Sequence, residues 1–193
     1  MALHREGAIA PYKSEKVPVL LDGEKVVVDS WEIANYLEDT YADRPSLFGG
    51  EGGRASARFL NGWGDTVIIA GIFPMIVADI PQHLGPEDRA YFRKSREARF
   101  SNKTLEEVSS DRDSRVEGFR KSLDPLRLML RSQPFVGGQS PNYGDYIMFG
   151  GFQWARGVSA FALLTEDDPV YAWRERMLDV HGGMARKSPG LAA

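Results

Sequence analysis

The sequence predicts a mostly α-helical protein, in which a short unit of one β-hairpin and one helix precedes an all-helical bundle. Two apolar runs flank the dipeptide Asp22-Gly23, a combination that strongly favours a tight hairpin turn. Directly after the second run, apolar residues recur every three or four positions, which is the spacing of an amphipathic helix. Beyond a glycine-rich stretch at residues 49–53 this helical spacing continues almost to the C-terminus. We therefore expect two domains, residues 1–48 and residues 49–193.

The predicted hairpin consists of strands at residues 17–21 and 26–28. Between them, Gly23 tolerates the positive φ that a tight reversal needs. Pro18 has no backbone N–H, so it indicates either the edge of a sheet or a special backbone site, such as a cis peptide bond that exposes neighbouring main-chain groups. The sequence leaves both interpretations of Pro18 open.

The helix after the hairpin is predicted to have Ser30 as its N-cap. Its apolar stripe comprises Ile33, Ala34, Leu37 and Tyr41. A helix that starts where a strand ends presents amide donors and the positive end of its dipole, which suit a carboxylate or a phosphate. Asp29 would accept a hydrogen bond from an ammonium group of the same ligand. The two residues therefore fit an amino-acid head group, and a purely structural cap is the alternative.

The bundle is predicted to contain helices at about residues 54–74, 86–100, 104–131, 143–154 and 168–181. The third of these is expected to be one long helix with a single irregularity. The fourth is the most strongly specified, because Asn142 and Asp145 have the spacing of a capping box. Its body is apolar on most sides, which predicts the central buried helix of the bundle.

Composition narrows the functional classes. The 193 residues carry a net charge of -3, and no uninterrupted apolar segment approaches the roughly 20 residues of a membrane span. We expect no membrane insertion and no general attraction to nucleic acid. The chain has no cysteine, and its three histidines are far apart, so we expect no metal site. The N-terminus lacks a long apolar signal core, which makes the cytoplasm the expected location.

Three motifs combine with this domain pattern. They are VPVL at residues 17–20, the Asp-Ser pair at residues 29–30 and the Asn-x-x-Asp cap at residues 142–145. A short sheet-containing unit, a glycine-rich linker and a helical unit with these motifs together resemble the glutathione S-transferase family. The longer string DSWEIANYLEDTYADRPSLFGG, at residues 29–50, is similar to the subgroup that includes bacterial β-etherases, which use glutathione to cleave aryl ether bonds.

The resemblance implies a thioredoxin-like first domain that binds glutathione. By analogy with the family, Val17 precedes a cis proline, Pro18, and hydrogen-bonds the cysteinyl part of glutathione. Asp29 and Ser30 match the acidic residue and the serine that hold the γ-glutamyl end. The implied partners are glutathione as the thiol, an aromatic electrophile, and a second copy of the chain in a homodimer.

The sequence departs from the family at its N-terminus. Family members have a strand, a helix and a second strand before the proline motif, and the residue that activates the glutathione thiol lies at the start of that helix. Only 16 residues precede Val17, whereas such a unit needs about 30. We therefore expect a truncated thioredoxin-like unit, with no residue that can be assigned the catalytic role.

Two main hypotheses of function remain. The first is a glutathione transferase or etherase whose thiol activation is impaired. The second is a noncatalytic scaffold of the same fold, used for interaction. Nucleic-acid binding depends only on the arginine-rich segment at residues 89–99, which is better interpreted as a solvated helix face. Four aromatic residues either line an apolar acceptor pocket or belong to the core: Trp63, Phe73, Phe152 and Trp154.

Overall fold

The computed structural model describes residues 9–191, except residues 13 and 15. Most of the expected lead-in at residues 1–16 therefore lies outside the described part. The chain divides into two compact units, Met1–Gly50 and Glu51–Ala193, which we call unit 1 and unit 2. Unit 1 contains a two-stranded sheet and unit 2 is helical, so the predicted fold class is confirmed.

Unit 1 begins, within its described residues, with a 3-10 turn at Ala10–Tyr12. Strands β1 (Val19–Asp22) and β2 (Lys25–Val28) then form an antiparallel hairpin, and helix α1 (Ser30–Thr40) follows directly. Gly23 opens the two-residue turn with a φ of 58°, the left-handed conformation for which glycine was predicted.

The two faces of the hairpin differ in burial. Val27 is buried in unit 1 together with Ala34 of α1 and Phe48. On the opposite face, Leu21 and Val26 are cross-strand partners and are 49% and 40% exposed. Unit 1 therefore has a small core, and burial alone gives limited support to the angle between α1 and the hairpin.

Unit 2 is built from eight α-helices in the described residues, joined by short 3-10 and π-helical segments. They are α2 (Glu51–Trp63), α3 (Ala70–Ile76), α4 (Pro86–Glu97), α5 (Leu105–Ser109), α6 (Arg112–Ser122), α7 (Asp124–Leu130), α8 (Tyr143–Val158) and α9 (Pro169–Lys187). The π-helical segment Gly64–Ile69 joins α2 to α3, and α9 is interrupted by non-helical backbone at Val180 to Gly183.

The predicted single helix at residues 104–131 is wrong, because three helices occupy this stretch. Thr104 and Glu107 form a capping box that starts α5. The break before α7 lies at Leu123, two residues before Pro125, which has no N–H to continue the ladder of α6. Pro74 lies inside α3, which ends two residues later, as the proline predicted.

One continuous helical run, Glu51–Ile76, is long and apolar enough to cross a membrane by length and composition alone, with a mean hydropathy of 1.3 in its best window. Its residues Ile68, Ile72 and Met75 are fully buried in the core of unit 2. The apolar character of this run therefore has a packing role in the bundle.

Helix α8 lies at the centre of unit 2, and its predicted capping box is confirmed. The Asp145 carboxylate is fully buried and accepts four hydrogen bonds, from Val136 N (2.8 Å), Gly137 N (2.8 Å), Asn142 N (3.0 Å) and Trp173 Nε1 (2.8 Å). A single side chain thus joins the preceding loop, the start of α8 and the body of α9.

The four aromatic residues with two open interpretations take part in packing. Phe152 is buried in the core, and Trp63 and Trp154 pack against the core cluster. The ring of Phe73 is stacked on Trp154 at a centroid distance of 5.7 Å. Their contacts within unit 2 agree with the core interpretation.

Candidate functional site

An open cavity of about 370 Å³ in unit 1 brings together all four site residues predicted from the sequence. We call it the site cavity. Its lining comprises Ser14, Lys16, Val17, Pro18, Val28, Asp29 and Ser30. The cavity lies between the segment that enters β1 and the junction of β2 with α1. Its volume falls within the range of about 300–1,000 Å³ that is typical of small-molecule sites.

Val17 lines this cavity and lies before the paired part of the hairpin. The Val17–Pro18 peptide bond is cis, which is one of the two interpretations left open by the sequence. Pairing in the hairpin begins only at Val19, and the N–H and C=O of Val17 make no hydrogen bond to any residue within the described ranges. Val17 is 59% exposed. It therefore offers one donor and one acceptor to the main chain of a peptide-like ligand.

Asp29, and not Ser30, is the N-cap of α1, so the predicted cap is wrong by one residue. The Oδ1 atom of Asp29 accepts from Trp31 N at 2.8 Å and from Glu32 N at 3.4 Å. Aspartate and serine both cap helices well. The backbone direction at the end of β2 places Asp29, and not Ser30, in the cap position. Asp29 has a φ of 83° and a ψ of 136°, outside the left-handed helical region, so its backbone is in a conformation that residues with a side chain rarely adopt. Ser30 is consequently the first helical residue.

The two oxygens of the Asp29 carboxylate have different surroundings. Oδ1 holds the first turn of α1, whereas Oδ2 accepts no hydrogen bond from the part of the chain that the structure describes. The side chain is exposed at the edge of the site cavity. Oδ2 is therefore available to an ammonium group, while the first turn of α1, which begins at Ser30, carries the positive end of the helix dipole.

Lys16 is a lining residue that sequence reasoning missed. The hydroxyl of Ser14 donates to Lys16 O at 2.7 Å and accepts from Lys16 N at 3.2 Å, which fixes the backbone on this side of the cavity. The only sequence signal was its position directly before Val17-Pro18. With Lys16, the residues that line the cavity include a cation, an anion and, at Val17, main-chain groups that no described residue pairs. This set is complementary to a zwitterionic peptide.

Two other cavities have fewer polar groups available to a ligand. One of about 320 Å³ lies at the C-terminal end of α1, where the Glu38 carboxylate already accepts from the hydroxyl of Ser46 and from Leu47 N. One of about 180 Å³ in unit 2 is lined only by apolar side chains, among them Phe59 and Met129. Among the described residues, no group of three histidine or acidic side chains is placed to hold a metal ion.

Comparison with known proteins gives the same family for both units. A family model of the glutathione S-transferase C-terminal domain matches residues 55–179. A model of the glutathione S-transferase N-terminal domain matches residues 3–45, which include every lining residue of the site cavity.

Solved structures of transferases share the fold. Glutathione transferase GSTFuA3 from Phanerochaete chrysosporium is 30% identical with a TM-score of 0.67; the alignment covers 88% of this chain and 66% of that protein, just under two thirds of its length. The transferase CsGST63524 of Ceriporiopsis subvermispora, solved in complex with glutathione, is 22% identical (TM-score 0.67, 89% and 68% covered). The β-etherase LigF from Sphingobium sp. strain SYK-6 is 19% identical (TM-score 0.65, 93% and 81% covered).

Proposed function

Because this chain belongs to the glutathione S-transferase family, we propose that it binds glutathione in the site cavity of unit 1. The observation that carries the proposal is the Asp29 carboxylate. One of its oxygens caps α1, and the other faces no hydrogen-bond donor among the described residues, beside the unpaired main chain of Val17. A ligand with an ammonium group and a peptide backbone satisfies both.

The lining groups fit the parts of glutathione in order. The γ-glutamyl ammonium would donate to Asp29 Oδ2, and its carboxylate would lie at the first turn of α1, next to Ser30. The main chain of the cysteinyl residue would pair with the N–H and C=O of Val17. The ammonium of Lys16 would attract the glycyl carboxylate. Each ligand charge thus meets the opposite charge or a polar main-chain group.

For the chemistry, we propose slow thiol transfer to an aromatic electrophile. In such a transfer the thiol loses its proton, the sulfur forms a bond to the electrophilic carbon, and the leaving group departs with its electron pair. An activating donor near the thiol accelerates this step by lowering the thiol pKa. Ser14 is a hydroxyl residue in the lining of the site cavity, but its hydrogen is already donated to Lys16 O. We therefore assign no catalytic residue. Aryl ether cleavage is our finer proposal, supported by the similarity of residues 29–50 to β-etherases.

A calorimetric titration of glutathione into the full chain tests the binding proposal. We expect Asp29→Asn to weaken binding about tenfold, since asparagine still caps the helix but has no negative charge for the ammonium. N-acetylglutathione lacks that ammonium, so both proteins should bind it equally weakly. Asp43→Asn, which removes an exposed carboxylate elsewhere in unit 1, is the matched control. Wild-type protein that binds no glutathione would refute the proposal.

An assay of thiol transfer to an aryl electrophile then separates the two hypotheses of function. Binding with turnover near the uncatalysed rate would favour the noncatalytic scaffold. Turnover far above that rate would show that a thiol-activating group is present and would overturn our proposal of slow transfer.

We also propose that the chain forms the homodimer that the resemblance implies. Light scattering on the purified chain tests this proposal by measuring the mass of the particle in solution.

A further inference from the structure

A three-residue cluster lies at the far end of unit 1 from the site cavity. Asp22, the last residue of β1, accepts two hydrogen bonds on one oxygen, Oδ2. The donors are the hydroxyls of Tyr36, at 2.9 Å, and Tyr41. Tyr36 lies in the second half of α1 and Tyr41 directly follows its last residue. The cluster therefore ties the turn of the hairpin to the C-terminal end of the helix.

The hairpin and α1 are thus joined at both ends. At the site cavity, Asp29 connects β2 to α1 through the chain itself. At the other end, Asp22 lies four residues beyond Pro18, a span of roughly 13 Å in an extended strand. A helix attached at one end can swing about that end, and a second attachment fixes its direction. Because the core of unit 1 is small, we expect the cluster to contribute much of what fixes the direction of α1.

We propose that Asp22 is a positioning residue for the glutathione site, acting through Tyr36 and Tyr41 to fix the direction of α1. The inference rests on the proposed function. Val17, two residues before β1, lies on one side of the proposed ligand, and Asp29 with the first turn of α1 lies on the other. Because Asp29 Oδ1 is bonded to the first-turn amides, a change in the direction of α1 turns this carboxylate and those amides relative to the main chain of Val17. Binding geometry tolerates such errors poorly.

The bonds in the cluster are those of an ionised carboxylate. Hydrogen bonds from Tyr41 and then from Tyr36 hold the pKa of Asp22 below its ordinary value, and the same bonds raise the pKa of both phenols. Hydrogen bonds to a charged acceptor are stronger than those between neutral groups.

The test combines glutathione affinity with amide exchange, both at a temperature where every variant is fully folded. The double variant Tyr36→Phe/Tyr41→Phe keeps both rings and removes only the hydroxyls. We expect it to bind glutathione about tenfold more weakly than wild type, the factor associated with losing hydrogen bonds to a charged group. Asp22→Ala should lose the same factor, and combining all three changes should lose no more, because they break one cluster.

Glu24→Gln removes a neighbouring carboxylate from the same turn and should bind within about twofold of wild type. We also expect faster amide exchange at residues 30–33 in the cluster variants alone. A lower melting temperature with unchanged affinity would show a merely stabilising role and overturn the inference, and so would additive losses. If wild-type protein binds glutathione and the cluster variants bind equally well, only this inference fails. If wild type does not bind, the proposed function fails as well.

Discussion

The two units each have an aspartate at the start of a helix, and the two carboxylates differ in how completely they are hydrogen-bonded. Asp145 in unit 2 is fully buried and accepts four hydrogen bonds through both oxygens. Asp29 in unit 1 is exposed and uses one oxygen to cap α1. A carboxylate whose bonds are all made within the protein stabilises the fold. One with an oxygen left for an outside donor is suited to binding.

The neighbouring backbone shows the same difference. Around Asp145, the main chain of the preceding loop is paired by the carboxylate itself, at Val136 and Gly137. Around Asp29, the main chain of Val17 has no partner among the residues described. Among the described residues, incomplete hydrogen bonding thus distinguishes the candidate site in unit 1, which neither burial nor a cluster of catalytic residue types indicates.

The largest expected effect is that of Asp145→Ala. It removes the acceptor of the buried indole N–H of Trp173 and of three amides in half-buried hydrogen bonds, at about 1–3 kcal/mol for each group left unsatisfied. Water can reach the amides of the loop and replace part of the lost hydrogen bonding, so the total is less than the sum for four groups. We expect unit 2 to lose about 3–5 kcal/mol of unfolding free energy. Chemical denaturation followed by tryptophan fluorescence measures it. Glu166→Ala, at an exposed position, is the control, and equal stability of the two variants would contradict our view of Asp145.

A difference in hydrogen exchange between the units is the second prediction. The hairpin amides at residues 19–28 belong to a two-stranded sheet over a small core, which is marginally stable by itself. We expect them to exchange at least about a hundredfold faster than amides near Ile147 in α8. Pairing of the β1 edge with residues 1–16 or with another chain would protect them. Equal protection in a proven monomer with an unpaired edge would contradict the expectation.

The third prediction separates the capping role of Asp29 from its charge. Asp29→Asn keeps an oxygen acceptor on a side chain of the same size and shape, so unit 1 should lose only a few tenths of a kcal/mol. Asp29→Ala loses the cap and places an alanine at a φ of 83°, and we expect a loss of about 1–2 kcal/mol. Thermal melts that monitor unit 1 by NMR measure both. Equal losses for the two variants would show that charge stabilises α1.

The smallest expected effect is the pH dependence of the Asp22 cluster. The folded pKa of Asp22 lies below its ordinary value of 3.8, because of the hydrogen bonds from Tyr41 and Tyr36. Its contribution to stability is therefore fully present above pH 3.8 and is lost as the pH falls through the lower folded value. Between pH 7 and 5 Asp22 stays ionised, so its titration should not change the protection of the α1 amides against hydrogen exchange. The difference in α1 amide exchange between wild type and Asp22→Ala should become smaller in strong acid, where the carboxyl group is neutral and accepts weaker hydrogen bonds. A difference that stays the same there would count against the cluster.

Features determined by neighbouring residues were predictable from the sequence. The hairpin predicted at Asp22-Gly23 and the capping box of Asn142 with Asp145 depend on a few adjacent positions, and both are present, with the turn itself at Gly23-Glu24. The cap at Asp29 was missed because Ser30 is an equally good cap by type, and the choice depends on the backbone direction after β2.

Other features were missed. The break at Leu123 has a local signal in Pro125, but the apolar spacing of residues 104–131 continues across it and predicted a single helix. The π-helical segment Gly64–Ile69 has no local signal that we recognise. Lys16 was overlooked because lysine is common on surfaces, and only the fold shows that it lines the cavity with Asp29.

An NMR titration of glutathione into the ¹⁵N-labelled chain tests the central claim most directly, because it observes the helix starts at Asp29 and at Asp145 in one experiment. We predict saturable amide shifts at Val17 and at Asp29 to Trp31, with little change at Asn142 to Asp145. Asp29→Asn should weaken the response in unit 1 and leave the spectrum of unit 2 unchanged. Shifts centred on Asp145, or none at Val17 and Ser30, would contradict the assignment of the binding site to unit 1.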